Sequence, residues 1–135
     1  MTVDIGTGLG AGAYNLTLIG PNRFRRDFKG SSATAGTSVS AAVSYAENAS
    51  ANTTDLVLTL ANGLSSAATF TVTANHYTTA TTTEAVAAGG TWSGDITAAF
   101  AASGWYDFTI TVGADSAWSQ RLTGHLENGL TSITG

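Results

Sequence analysis

A chain of 135 residues with a net charge of −4 holds one domain and leaves no room for a second of comparable size. Five cationic side chains provide no basic footprint for nucleic acid or for anionic lipid, and the absence of cysteine removes disulfides, thiolate nucleophiles and cysteine-bound zinc. No apolar run is long enough to span a bilayer. Met1 to Gly6 lack the positive region and apolar core of a secretory leader, which fits either a cytoplasmic protein or a domain taken from a longer one.

Residues 1–12 read as a flexible lead-in to a single domain over 13–135. Gly6 to Gly12 is glycine-rich like a phosphate-cradling loop, but it follows no strand and opens no helix. Tyr14, Leu16 and Leu18 then alternate with polar residues, and Gly20-Pro21-Asn22 reverses the chain. The returning strand carries Phe24, Arg26 and Phe28 on one face and Arg23, Arg25, Asp27 and Lys29 on the other. Val39 to Glu47 is a weaker strand, and Ala46 to Thr54 reads as an exposed loop. Leu56 to Leu60 alternates again, and Asn62-Gly63 is expected to close a hairpin. Phe70, Val72 and Ala74 alternate with threonines, as Tyr106 to Val112 does later.

Between those strands, Thr78 to Thr83 reads as a surface loop or edge. Val86 to Trp92 suggests a strand, a tight turn and a strand. Thr97 to Ala102 is the one helical turn, stopped by Ser103-Gly104. Trp118 to Leu126 is the last strand. Seven to nine short strands without a long amphipathic helix predict an all-β antiparallel sandwich, with a closed barrel as the alternative.

Chemistry-bearing residues are sparse. His76 and His125 are far apart in sequence, no calcium loop or HExxH occurs, and no metal or cofactor is expected. His125-Leu126-Glu127 places two polar groups on one strand face, able to relay a proton or hold a metal but first read as a structural pair. Arg26 points toward the apolar side and needs a carboxylate or carbonyl partner; Asp107 or Glu127 would serve. Trp105 and Trp118 fill the core or form an exposed sugar or lipid platform. No Gly-x-Ser-x-Gly elbow is present. The acceptor triplets at Asn15, Asn48 and Asn52 are expected by chance in a threonine-rich chain.

Three segments resemble one family. Gly20-Pro21-Asn22-Arg23-Phe24-Arg25-Arg26-Asp27-Phe28-Lys29-Gly30, Gly104-Trp105-Tyr106-Asp107-Phe108-Thr109-Ile110-Thr111-Val112 and Arg121-Leu122-Thr123-Gly124-His125-Leu126-Glu127-Asn128-Gly129 are similar to motifs of the C-terminal domain of bacterial, phosphocholine-preferring phospholipase C. Trp118-Ser119-Gln120 departs from the family's commoner Phe-x-Arg. The resemblance implies an exported parent whose hydrolytic site lies in a separate N-terminal domain, with this chain inert toward phosphodiesters. It implies the parent's catalytic domain as partner, and a phospholipid surface as a second contact. Arg23, Arg26, Trp105, Asp107, Trp118, His125 and Glu127 are the candidate docking or binding residues. A carbohydrate-binding module and a structural spacer are the competing readings.

Overall fold

A computed structural model of the chain describes residues 12–48 and 53–126. Residues 1–11 of the expected lead-in, residues 49–52 of the loop expected over Ala46 to Thr54, and Glu127 lie outside the described residues; Ala46 to Asn48 and Thr53 to Thr54 are strand and not loop. The strands are β1 (Ala13–Ile19), β2 (Arg25–Ser31), β3 (Val39–Asn48), β4 (Thr53–Asn62), β5 (Ala68–His76), β6 (Thr81–Val86), β7 (Thr91–Asp95), β8 (Ala101–Ala102), β9 (Trp105–Val112) and β10 (Asp115–His125). One four-residue helical turn, α1 (Thr97–Phe100), stands where the sequence suggests it, and a 3-10 turn at Ala35–Ser38 precedes β3.

The strands form two unequal antiparallel sheets. The large sheet runs β1-β2-β10-β9-β5-β6 with β8 paired to β9, and the small sheet runs β3-β4-β7. They pack as a sandwich and do not close into a barrel. Alternating burial follows from the period-two pattern: Leu56, Leu58 and Leu60 from the small sheet meet Phe70, Val72, Tyr106, Phe108, Ile110 and Leu122 from the large one. The intervening threonines stay on the outer faces.

One expected hairpin is a crossing between sheets instead. β4 and β5 belong to different sheets, so Asn62-Gly63 does not close a hairpin. Asn62 is buried, and its side-chain amide donates to the carbonyls of Ser66, Val86 and Ala87 at 2.9–3.1 Å while its oxygen accepts from the Leu64 N–H at 3.0 Å. One asparagine therefore ties the crossing loop to the end of β6. The turn at Ala87–Gly90 likewise carries the chain from the large sheet to the small one, with the Gly90 N–H donating to the Ala87 carbonyl. The stretch Thr78 to Thr83 resolves into a loop followed by β6, which is an edge strand.

Candidate functional site

The three motif segments meet in the large sheet, on β2, β9 and β10, which are adjacent. Their register sets what each residue can reach. On β9, Tyr106 and Phe108 face the small sheet, while Trp105, Asp107 and Thr109 face outward. Arg26 faces inward, opposite Leu122 and Leu18.

Arg26 is 9% exposed, and of the carboxylate or carbonyl partner expected for it the described residues supply carbonyls, not Asp107. Asp107 lies on the opposite face of the sheet, out of its reach, and Glu127 lies outside the described residues. Arg26 instead donates through Nη1 to the carbonyls of Thr123 and Arg25 and through Nη2 to Tyr106 Oη at 3.0 Å. The guanidinium also lies 4.3 Å from the Phe24 ring centre. Tyr106 in turn shares a 2.6 Å hydrogen bond with Tyr45 Oη. Burial, then that hydrogen bond, push the Tyr106 phenol far above the usual tyrosine value despite the nearby guanidinium.

Asp107 pairs with Arg121 in a two-point fork, Nε to Oδ1 at 2.9 Å and Nη2 to Oδ2 at 2.7 Å, and its Oδ1 also accepts from Asn75 Nδ2 at 2.9 Å. Burial would raise its pKa, but the Arg121 and Asn75 hydrogen bonds outweigh it and hold the carboxyl below its ordinary value. A β-bulge between Ala74 and His76 is what brings Asn75 over Asp107. Two strands away, Asp27 accepts from Arg25 Nε and from the Thr17 hydroxyl. The outer face thus carries a row of paired charges.

Trp105 and Trp118 are both buried, the packing alternative of the two the sequence left open. Trp118 is 2% exposed and packs edge-on against Phe70 with ring centres 6.1 Å apart. The irregularity between Asp115 and Ser119 turns it into the core. Trp105 is on the outer face yet only 9% exposed, because neighbours cover it. His125, opposite it on β10, lies 4.5 Å away centre to centre, the Tyr77 ring 6.2 Å, and the Arg23 guanidinium 5.9 Å. His76 is set edge-on to Tyr77 at 4.6 Å.

The structure therefore brings Arg23, Trp105 and His125 together at one corner of the sheet, adds Tyr77 and His76, and leaves Arg26 and Trp118 inside. Tyr77 was not legible in the sequence, because its place over Trp105 depends on the bulge two residues earlier. Backbone strain collects here as well. Arg23 and Tyr77, both covering Trp105, have φ of 57° and 70°, and Ser103 before the Trp105 turn has 51°; non-glycine residues adopt this region at a cost of about 1–3 kcal/mol each. Gly104 follows at φ 83°, where a Cβ would stand 2.8 Å from His125 Nε2. The corner presents a cation, a phenol and two imidazoles in fixed positions around a covered indole, an arrangement suited to binding a partner surface. No group of three histidines or carboxylates able to hold a metal ion occurs among the described residues.

No curated protein matches the chain. A family model described as "Bacterial phospholipase C, C-terminal domain" matches residues 39–125, a span that holds all of β9 and β10 and begins after the β1–β2 hairpin. More than half of the chain is matched, over the strands whose register builds the corner, and the chain belongs to the family of bacterial phospholipase C C-terminal domains.

Proposed function

We propose that this chain is a non-catalytic accessory domain of an exported phospholipase C, and that the corner formed by Arg23, Tyr77, Trp105 and His125 is its docking face for the catalytic domain. The observation that carries this reading is the left-handed backbone at Arg23 and Tyr77, which holds a cation and a phenol over Trp105 at the end of the sheet's central strands. Strain of this kind persists where surrounding structure enforces it, and it is concentrated at sites that bind. Arg and aromatic residues are also the side chains that most often anchor protein interfaces.

Asp107 serves this reading as support, since its fork with Arg121 pins β9 to β10 beneath the corner. Arg26, through the Thr123 carbonyl, and Trp118, from the core, hold the same strands from the other side. A phosphatidylcholine surface is a second contact for the assembled enzyme. A carbohydrate platform is disfavoured by the burial of Trp105 and Trp118 and by the packing of the partly buried Trp92 against the core, since a sugar stacks on an exposed ring face.

Titration calorimetry of the chain against the catalytic domain of a phospholipase C from this family tests the reading. Saturable binding is expected, weakened about tenfold or more by Arg23→Ala and by Tyr77→Ala, and no hydrolysis of a choline phosphodiester by the chain alone. Hydrolysis by the pure chain, or binding indifferent to both substitutions, overturns it. Co-sedimentation with phosphatidylcholine vesicles, with and without the catalytic domain, separates protein docking from direct lipid contact.

A further inference from the structure

The two sheets are unequal, and the mismatch leaves one margin of the large sheet uncovered. Among the described residues the small sheet has three strands, and its edge strand β3 meets the large sheet through the Tyr45 contact with Tyr106. Beyond it, Leu16 and Leu18 of β1 and Phe28 of β2 face the same side as the core yet are only half-buried and are not part of it. β1 is also an edge strand, with nothing paired on its outer side among the described residues.

Sheet edges with open backbone groups are normally protected by charge, proline, a bulge or brevity. β6 has Glu84 on its inward face, opposite Phe70. β7 has five residues and ends on Asp95, and β3 carries Glu47. β1 has none of these devices: Ala13-Tyr14-Asn15-Leu16-Thr17-Leu18-Ile19 is uncharged, lacks proline and pairs with β2 in unbroken register. Ile19 at its end is 75% exposed.

We infer that β1 pairs antiparallel with β1 of a second copy of this chain, about a two-fold axis through Leu16, joining the two large sheets into one. The strand is self-complementary in that register. Leu16 meets Leu16 and Tyr14 meets Leu18, so every apolar residue of the inner face meets another, and Ala13 meets Ile19 on the outer face. Asn15 meets Thr17 on the outer face, polar against polar. With no charge in the strand, the two-fold sets no like charges opposite each other, which a self-pairing strand must avoid. The half-exposed row of Leu16, Leu18 and Phe28 then becomes continuous with its symmetry copy.

Sedimentation equilibrium over a concentration series tests the pairing and its register. The wild-type chain is expected to approach dimer mass by about 100 µM. Two variants differing only at residue 15 test the register: Asn15→Lys/Thr17→Lys places like charges opposite each other across the axis, and Asn15→Glu/Thr17→Lys places opposite ones. The first is expected to weaken association about tenfold or more, and the second to retain it. As a separate readout in this cysteine-free chain, Leu16→Cys should cross-link to a covalent dimer on mild oxidation. Directly opposed residues are about 4.5–5.5 Å apart, within disulfide reach. Ile19→Cys should not cross-link, because its opposite residue is Ala13. A wild type that stays monomeric, equal association of the two charge variants, or cross-linking at residue 19 rather than 16 overturns the inference.

Discussion

Gly124 and Gly30 each lie beneath a tyrosine, and the two contacts differ in how far they can yield. A Cβ at Gly124 would stand 2.5 Å from Tyr106 Oη and 2.7 Å from its Cζ. Tyr106 is fully buried and its hydroxyl is tied to both Arg26 and Tyr45, so the ring cannot move aside. A Cβ at Gly30 would stand 2.6 Å from Tyr14 Oη, but Tyr14 is half-buried and can swing outward. Gly124→Ala is therefore expected to cost about 1–3 kcal/mol, as other overpacked core sites do, and Gly30→Ala less. Chemical denaturation of the two variants checks this; equal losses would mean that Tyr106 is not held. The motif glycines thus mark close packing rather than a ligand loop. Arg26 is likewise explained by packing, with a buried charge met by two carbonyls, a phenol and an aromatic face in place of a carboxylate.

At the scale of elements, the turn that leads into β3 and the irregular start of β10 are held by one carboxylate. Asp115 Oδ2 accepts from the Gly36 N–H at 2.8 Å and from the Thr34 hydroxyl, and Oδ1 accepts from the Ala117 N–H at 2.9 Å. The Thr34 hydrogen bond and these N–H groups hold its pKa below the ordinary carboxylate value. Gly36 can approach so closely because a Cβ there would meet both Asp115 and Trp118 at 2.7–2.8 Å. Asp115→Ala leaves those donors unpaired at a buried site, and a loss of about 1–3 kcal/mol is expected. Hydrogen exchange gives the sharper readout, since the Gly36 amide should lose protection before the strands do. Protection unchanged at Gly36 would mean that the turn is held by something else.

For the whole molecule, stability toward acid rests on Asp27, Asp107 and Asp115, whose pKa values are all lowered in the fold. A group whose folded pKa is depressed contributes stability that is complete above its unfolded value and lost as pH falls through the folded one. The melting temperature should therefore be level from neutral pH to about pH 5 and fall steadily below about pH 4. Asp107→Asn should start lower at neutral pH and show a shallower fall. A wild-type curve that stays level to about pH 2 would remove the proposed role of these pairs.

Period-two alternation determined the strands without tertiary help, because a pleated chain with one wet face must place apolar residues at every second position. That is why the secure strands, the reversal at Gly20, the helical turn near Thr97 and the inward parity of Arg26 were all legible in the sequence. The family was legible too, in motifs whose glycines and aromatics pack on each other. What alternation cannot say is which sheet a strand joins, since both sheets present the same pattern. Asn62-Gly63 therefore resembled a hairpin turn although it crosses between sheets, and the tight turn at Gly89-Gly90 gave no sign that it crosses too. Nor can parity report what covers an outward residue. Trp105 is buried by Arg23, Tyr77 and His125, which come from three separate segments, and Asp107 is taken by Arg121 on the face that Arg26 cannot reach. The sequence alone determined the strands and the residues available to them; strand order and the bulges in β5 and β10 decided which of those residues meet.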